Sequence, residues 1–584
     1  MRHCTFRVAI LTALITILIC LPSLAGKIDK NPKALNDRLA QFQKQVLVYS
    51  MLDDHRRSSA VTGQKGFPLG APAYLESSLN GSPGQTVGWT YWEQQHNASM
   101  GRMIEIGPHS GETGPTVVHF GWTHLPDSAF EARTYMYNAY KSADGLYAGA
   151  FRLHDPDDVY SGYVNVDVTP DNRALVGGHA DEKGPNPYSV QVHFDECSVC
   201  ELFDYYVRVV DSVMEYVPYV TETMWPKFAY QYGTDTVLHV IAASNMFTSG
   251  EYALMYFRYV DPESPSGNGW DYPPYVVDTA EMASYDVAAT RGADRVAISW
   301  MASLPYQEPA CDTCSGLSLY TGTILGLMDN DLYYQISNDQ GVTWEPRVNL
   351  SSCPLGASCD KPYADLSMLF DQSDILHLVW TACPWPGDPC LGEVAPCFED
   401  LFIPEAGRLL HWSESVPLVR VIASHTQDPV EECSPPAFAL RVAKPTISEC
   451  DNKLYALWTQ FNSIPDGVLD DCAEWGYVLP WPYGAANGEL WVAGSDDGGM
   501  TWSNQYNLTE SYTPHCDPQT ADPCQSDYWA SMSRYGRQTQ TGEDWSTAVI
   551  VDPTGFASTD YYLDIQYVND LEAGTGLDGD EGGW

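Results

Sequence analysis

A short apolar strand that often ends in Trp recurs along the chain and limits the folds that the chain can adopt. Five copies are clear, namely Val117–Trp122, Val237–Ala242, Arg295–Trp300, Ile375–Trp380 and Lys453–Trp458. Weaker copies lie near 174–178 and 545–550, which makes seven. The β-branched and aromatic residues of these copies, set between clusters of Gly, Pro, Asp and Asn, indicate strands and not helices. Self-similar units of this kind predict a repeat protein in which each unit packs on its neighbours.

Another strand, rich in Tyr and Leu, follows each copy. The seven examples are Thr134–Tyr137, Tyr188–Val192, Ala253–Phe257, Leu332–Ile336, Leu409–Trp412, Leu490–Ala493 and Tyr561–Ile565. With a short strand before each apolar copy, the repeated unit has three or four strands, which is typical of a propeller blade. We therefore predict an all-β fold, a β-propeller of seven four-stranded antiparallel blades, with six blades as the alternative.

Two units carry a sharper motif directly after their third strand. It reads S-x-D-x-G-x-T-W, and its residues are Ser337, Asp339, Gly341, Thr343 and Trp344 in one copy and Ser495, Asp497, Gly499, Thr501 and Trp502 in the other. An Asp carboxylate at this place can accept N–H groups across a hairpin turn, the Gly supplies positive φ, and the Trp packs the turn back onto the blade. These residues are predicted to stabilise structure and not to perform chemistry.

The motif resembles the Asp-box, or BNR repeat, of sialidases and related propellers of the neuraminidase superfamily. The resemblance implies a sialidase-like propeller. Active sialidases hold the substrate carboxylate with three arginines and use a Tyr–Glu pair and an Asp for catalysis. Their first arginine typically lies in an Arg-Ile-Pro string, whereas the nearest string here, Phe151–His154, has no proline. Arg102, Arg441 and Arg534 lie near the starts of first strands and are candidates to face the central funnel.

The two ends of the chain are predicted to lie outside the blades. Residues 1–25 read as a signal peptide, 26–85 as an N-terminal extension, 86–570 as the propeller and 571–584 as a flexible acidic tail. The strand-like segment Thr86–Trp92 is expected to complete the last blade, because open sheet edges are unfavourable. Since no later stretch is long and apolar enough to cross a bilayer, we expect a secreted protein, extracellular, or periplasmic or cell-surface if bacterial.

The chain is strongly acidic, with a formal net charge of −46. A surface of this sign repels nucleic acid and anionic membranes, so neither is expected as a partner. We predict no metal and no cofactor, with calcium as the alternative, since carboxylates such as Asp466, Asp470, Asp471 and Glu474 lie close together in one loop. The composition leaves the oligomeric state open.

Fourteen cysteines follow the signal peptide, an even number that favours disulfides in an exported protein. Neighbours in sequence suggest the pairs Cys197–Cys200, Cys311–Cys314, Cys353–Cys359, Cys383–Cys390, Cys433–Cys450 and Cys516–Cys524. Cys397 and Cys472 are left and are expected to bridge two loops.

Long insertions between the second and third strands of blades four to six point to a functional face. They cover 301–330, 381–407 and 459–488 and hold the aromatic residues Trp385, Trp475, Trp481 and Tyr483. Disulfide-braced aromatic loops are suited to binding a glycan or an extracellular protein, although such rings also serve simply to pack loops together. We favour a non-catalytic binding propeller. The alternative is a glycoside hydrolase, sialidase-like or acting on a neutral sugar, that uses carboxylates in the funnel. His119, His239 and His377 recur at one place in the second strand and are expected to pack.

Overall fold

The structure, a computed structural model, describes part of the chain. The described residues are 82–107, 116–126, 133–141, 146–154, 159–181, 188–209, 220, 222–244, 252–263, 269–271, 273–280, 284–303, 330–352, 359–385, 406–426, 435–436, 439–461, 486–514, 516, 524–538 and 561–571. Their regular structure is β-strand throughout, without a helix. Consequently, no helix in this part of the chain is long and apolar enough to cross a membrane.

Six antiparallel blades of four strands follow one another along the chain, each a meander whose strands pair in chain order. The first three contain β1 (Ile104–Gly107), β2 (Val117–His124), β3 (Thr134–Lys141) and β4 (Leu146–Tyr147); β6 (Tyr160–Val168), β7 (Ala174–Asp181), β8 (Ser189–Phe194) and β9 (Tyr205–Arg208); and β10 (Thr223–Tyr232), β11 (Thr236–Ser244), β12 (Tyr252–Val260) and β13 (Gly269–Trp270). Two short extra strands, β5 (Phe151–Arg152) and β14 (Tyr275–Ala280), pair with β3 and β12.

The next three blades repeat the same order. They contain β15 (Tyr285–Ala289), β16 (Val296–Ser303), β17 (Asn330–Ser337) and β18 (Val348–Asn349); β19 (Cys359–Phe370), β20 (Leu376–Trp385), β21 (Ala406–Ser413) and β22 (Arg420–Thr426); and β23 (Val442–Cys450), β24 (Lys453–Phe461), β25 (Gly488–Ser495) and β26 (Tyr506–Asn507). Four further strands follow, which are β27 (Ser526–Met532), β28 (Arg537–Gln538), β29 (Tyr561–Tyr562) and β30 (Ile565–Asp570).

The first strands of successive blades contact one another around a common axis. The two-stranded sheet of β27 and β30 lies between blade six and blade one, since β27 contacts both β23 and β1. The all-β propeller is thus confirmed, with six four-stranded blades, the alternative count. A seventh four-stranded blade is not shown, because the part of the chain described there forms only the two-stranded sheets β27–β30 and β28–β29.

The predicted second and third strands of the first six units coincide with strands of the structure. The last unit differs. Ile565–Asp570 pairs directly with β27, whereas the sequence pattern placed a third strand at Tyr561–Ile565. The segment Thr86–Trp92 is not a strand either. It follows Ser82 and Pro83, which are held at the seventh sheet by hydrogen bonds of the Ser82 hydroxyl to Asp527 (3.0 Å) and of the Tyr567 hydroxyl to the Pro83 carbonyl.

The two S-x-D-x-G-x-T-W turns have the same hydrogen bonds. In the first, Asp339 accepts the Thr343 N–H at 2.8 Å and the Thr343 hydroxyl at 2.6 Å, while the Ser337 hydroxyl accepts the Gly341 N–H at 2.8 Å. In the second turn, Asp497 and Ser495 make the equivalent bonds within 0.1 Å of these lengths. The carboxylate therefore closes the turn that joins the third strand to the fourth.

The glycine of each turn is the point at which one blade meets the preceding one. Gly341 has a φ of 84°, and a Cβ there would overlap the hydroxyl of Tyr256 in blade three. Gly499 stands in the same relation to His411 in blade five. Trp344 likewise stacks on Tyr275 of blade three, with ring centroids 5.8 Å apart. The sequence predicted that this Trp packs on its own blade, but in the structure it also joins two blades.

A second repeated contact fixes the start of the third strand. The side-chain amides of Asn349 and Asn507, which lie in N-x-S/T sequons, donate to Asp331 and Glu489. The hydroxyls two residues later accept the N–H groups of Leu332 and Leu490. These two asparagines thus have a structural role in the repeat.

The repeated histidines pack as predicted. His119, His239 and His377 are fully buried, and their Nδ1 atoms hydrogen-bond to the third strand of the same blade. Burial lowers the pKa of His119 to about 4 and that of His239 to about 3. Both rings are therefore neutral near pH 7.

The cysteine predictions are borne out in part. Cys197–Cys200 and Cys516–Cys524 are disulfides, and Cys359 and Cys383 are also disulfide-bonded. The predicted Cys433–Cys450 bond is wrong, because Cys450 is a buried free thiol packed against Gly536 and the Tyr562 carbonyl. Sequence neighbourhood failed here because the end of β23 turns the thiol into the protein. The remaining pairs involve cysteines outside the described residues.

We predict that Gly341→Ala destabilises the protein more than Gly292→Ala does. Both glycines have φ near 83°, but a Cβ at Gly292 meets nothing within 4 Å. Gly292→Ala is therefore expected to lower the free energy of unfolding by about 1 kcal/mol, the cost of the left-handed backbone alone. Gly341→Ala is expected to cost a further 1 to 3 kcal/mol, roughly, through overlap with Tyr256. Urea unfolding measures both values, and equal losses would contradict the proposed contact between blades.

Candidate functional site

Of the four aromatic residues predicted to bind a ligand, one lies in the described part of the chain. Trp385 ends β20, whereas Trp475, Trp481 and Tyr483 lie outside the described part of the chain, as do the acidic residues considered for calcium. In an antiparallel meander the loop after the second strand and the turn after the third strand lie at opposite ends of the blade. We call these ends the loop face and the turn face.

Carboxylates on the first strands join neighbouring blades at the axis. Glu105, Asp167 and Asp286 each accept the N–H of the residue that follows them, at 2.8 to 3.1 Å. Each also accepts an N–H from the neighbouring blade or sheet, and these donors are Arg534, Tyr230 and Met368, respectively, at 2.8 to 3.2 Å. The first strand of a blade has no partner strand on its axial side, so its N–H groups require such acceptors.

One guanidinium group donates hydrogen bonds to main-chain carbonyl groups on the axial edges of the first strands. Arg102 donates to the carbonyl oxygens of Met368, Ile447 and Met532 at 2.9 to 3.0 Å. These three carbonyls belong to β19, β23 and β27. Arg102 therefore links two blades and the seventh sheet across the axis.

Two further arginines converge on Asp167. Arg291 donates to it at 2.7 Å and Arg534 at 3.2 Å, while Arg534 lies 3.6 Å from Glu105. Of the three arginines singled out in the sequence, Arg102 and Arg534 thus reach the axis. The third arginine at the axis is Arg291, from the turn between β15 and β16. Arg441 is instead buried next to the start of β23.

The nearby tyrosine and glutamates hydrogen-bond to main-chain groups. Tyr535 donates its hydroxyl to the Phe370 carbonyl at 2.7 Å, and burial raises its pKa well above the usual range. Burial also raises the pKa of Glu105, and that of Glu449 to about 7. Glu449 accepts the Gln372 N–H at 2.6 Å. The second oxygen of Glu105, Oε2, makes no hydrogen bond and lies 3.6 Å from the Arg534 guanidinium.

A β-bulge recurs in the first strands, close to the loop face. It occurs in β6, β10, β19, β23 and β27. Four bulge residues have left-handed backbones although none is glycine, with φ between 50° and 61°: Tyr163, Trp225, Lys444 and Trp529. The first three donate their N–H groups to side chains of the preceding blade, which are Thr123, His179 and Asp365. Bulges re-aim side chains, and strain of this kind is frequent at functional sites.

Lys227 is buried at the level of the bulges. It is 2% exposed, and its Nζ lies 3.1 Å from Nδ1 of His96, in the segment that precedes β1. Burial lowers the pKa of Lys227 to about 7; Lys444 acts in the same direction, against Asp286 and Asp365. Burial and the two lysines also hold the pKa of His96 well below its usual value. Near neutral pH a fraction of Lys227 is therefore an uncharged amine.

The second buried lysine is fully engaged. Lys444 donates to Asp365 at 2.8 Å and to the Ala98 carbonyl at 2.8 Å, and its Nζ lies 4.7 Å from the centre of the Trp529 ring. Asp365 in turn accepts the Lys444 N–H at 3.1 Å. This ion pair ties blade five, blade six and the segment before β1 together.

An arginine surrounded by aromatic rings lies beside this cluster. The Cζ of Arg133 is 4.6 to 4.8 Å from the ring centres of Trp92, Tyr160 and Tyr163. Arg133 directly precedes β3, and Tyr160 begins β6, so both lie at the loop face. Trp92 and Tyr160 are half-buried, whereas Arg133 is buried. We call Trp92, Tyr160 and Arg133 the aromatic mouth.

No sequence pattern singled out Lys227, Lys444, Arg133 or His96 as candidate site residues. One signal was available, since Pro226 precedes Lys227 and Pro445 follows Lys444 within first strands. A charged residue in a first strand is rarely buried without a partner. The bulges make the first strands the least regular strands of the repeat, so the two lysines do not recur at one position.

We predict that Lys227→Met stabilises the protein most at low pH. The folded-state pKa of about 7 lies below the ordinary value of 10.5, so the folded protein binds fewer protons than the unfolded chain between these values. Stability consequently rises with pH across this window, and the penalty is greatest below about pH 7. The variant should gain roughly 2 to 4 kcal/mol at about pH 6 and less at about pH 9.5. Urea unfolding at both pH values tests this, with Lys141→Met at the end of β3 as the control; a gain independent of pH would contradict it.

Comparison with known proteins found only distant similarities to solved structures. No family model and no curated protein matches the sequence. Among solved structures, an ulvan lyase, a polysaccharide lyase, is 11% identical over 72% of this chain and 99% of its own, with a TM-score of 0.33. A Trypanosoma rangeli sialidase bound to an inhibitor is 10% identical over 63% and 53%, with a TM-score of 0.32. A Fusarium graminearum α-L-arabinofuranosidase is 10% identical over 59% and 74%, with a TM-score of 0.29. All three TM-scores are below 0.5, so these similarities carry no argument for the fold or the function of the chain.

Proposed function

We propose that the chain is an exported propeller that binds a glycan at its loop face without cleaving it. The observation that carries the proposal is the state of the axis, where carboxylates and arginines bond to one another and to the main chain. Glycoside hydrolysis requires two carboxyl groups that flank the substrate, one of them able to give up or take a proton. Glu105, Asp167 and Asp286 each hold N–H groups of two chain segments, and Asp365 holds Lys444. Without these carboxylates, N–H groups along the first strands would lack acceptors.

The loop face offers a different surface. The aromatic mouth presents the half-buried rings of Trp92 and Tyr160, which offer flat apolar area of the kind on which sugar rings stack. Trp385, Trp475, Trp481 and Tyr483 are proposed to extend this surface, because the loops after the second strands of blades five and six begin at the same face. Disulfides within the chain and the signal-like residues 1–25 support export.

A glycan array and a panel of fluorogenic glycosides test the proposal. The purified protein is expected to bind a subset of glycans and to release no fluorophore. Tyr160→Ala and Trp481→Ala should each weaken binding by about tenfold or more, as is usual for an aromatic anchor at the centre of a binding site. Tyr506→Ala is the matched control, since Tyr506 is 42% exposed at the turn end of blade six.

The hydrolase alternative predicts a different pattern. Fluorophore release that is lost in folded Asp286→Asn or Asp365→Asn would establish it and overturn the proposal. Circular dichroism and the unfolding midpoint show whether these variants fold. Failure of every glycan to bind, with intact protein, would equally count against the proposed function.

A further inference from the structure

The exposed apolar side chains of the described residues are concentrated on one side of the propeller. Most of them lie in the turn after the third strand or in the fourth strand of blades four, five and six. We call this set the apolar rim, and it consists of Val342, Val348, Leu418, Val419, Val421, Met500 and Tyr506. Single exposed apolar residues are ordinary, but a group of them on consecutive blades is typical of an interaction surface.

The apolar residues of the rim are not needed by the turns that hold them. Val342 and Met500 occupy the same position, between the Gly and the Thr of the two repeat turns, and are 62% and 50% exposed. The Ser, Asp and Thr side chains make the hydrogen bonds of these turns. Leu418, in the corresponding turn of blade five, is 57% exposed. The turns of blades five and six adjoin, since a Cβ on Gly498 would lie 3.9 Å from the Ser415 hydroxyl.

A strand edge accompanies these side chains. β22 is the outermost strand of blade five, and no other strand of the described chain pairs with its outer edge. Val419 and Val421 are both exposed beside this edge, with Arg420 between them half-buried. An open edge with apolar side chains is a template on which a further strand can pair.

Charge indicates which partner suits the rim. Exposed charged residues border it. Glu345, Asp496 and Glu510 are acidic, whereas the basic Arg347 pairs with Asp278 at 3.0 Å. The chain as a whole has a net charge of −46, so a second copy or an anionic membrane would be repelled. A partner with apolar side chains flanked by Lys or Arg is complementary to both the rim and its border.

We propose that the apolar rim docks an extended, cationic segment of another protein, which pairs with β22 as an additional strand and covers Leu418, Val421 and Met500. The rim lies at the turn end and outer edge of its blades, whereas the proposed glycan site lies at the loop face. The two proposals are therefore independent, and either can fail without the other.

A synthetic peptide of about ten residues that alternates Val and Lys is the probe. Fluorescence anisotropy at physiological salt measures its affinity, beside a Val–Glu peptide and a Val–Lys peptide whose backbone nitrogens are methylated. We expect the Val–Lys peptide to bind at least about tenfold more tightly than either of the others, since strand addition depends on main-chain hydrogen bonds. Leu418→Ser/Val421→Ser should weaken its binding by about tenfold or more, as expected of central interface residues.

The control variant is Val276→Ser, because Val276 is 44% exposed, as Val419 is, but lies on β14 of blade three. It should leave binding unchanged. Equal affinity of the wild type and the Leu418→Ser/Val421→Ser variant, or of the methylated and unmethylated peptides, would overturn the proposal. So would a dimer, detected by light scattering, that the same double variant abolishes, since the rim would then be an interface between two copies.

Discussion

The unpaired axial edge of each first strand is the constraint on which the rest of the propeller depends. A blade pairs its strands outward from the axis, so the first strand has a partner on one side only, and its other N–H and C=O groups face the centre. Glu105, Asp167 and Asp286 accept N–H groups there, and Arg102 donates to three carbonyls. Buried charge is costly unless it is paired and hydrogen-bonded. Most of these groups meet that requirement, since Asp167 pairs with Arg291 and Arg534, whereas Oε2 of Glu105 makes no hydrogen bond and lies 3.6 Å from Arg534. The axis is thus the polar centre of the fold.

The same constraint places the groups that hold the fold together apart from the surfaces proposed to bind a ligand. Residue types that suggest sialidase chemistry, such as converging arginines with a tyrosine and glutamates nearby, are present on the axis but bond to the protein itself. The proposed binding surfaces lie instead at the ends of the blades. The loop face has the aromatic mouth, and the turn face has the apolar rim. Function can therefore differ between propellers of one fold, because binding residues are concentrated on loops that a rigid scaffold positions.

The β-bulges of the first strands relate the packing of adjacent blades to the burial of Lys227. Tyr163, Trp225 and Lys444 hold left-handed backbones that cost of order 1 kcal/mol or more each. Side chains of the preceding blade accept their N–H groups, so the packing of adjacent blades maintains the strain. One consequence is that Lys227 is buried beside His96 with a pKa near 7. The position of that amine is a property of three chain segments together and not of β10 alone.

The sequence by itself determined the local architecture. Alternating apolar runs between turn residues specify strands, and S-x-D-x-G-x-T-W specifies a turn closed by its own side chains, because these interactions span only a few residues. The structure alone decided which blades meet and which groups share the axis. Gly341 contacts Tyr256, Arg102 reaches Met532, and Lys227 meets His96 across 85, 430 and 131 positions of the chain, respectively. Cys450, assigned to a disulfide from its neighbourhood in sequence, is a free thiol for the same reason. Contacts across such separations depend on the closure of the ring, which no local pattern in the sequence records.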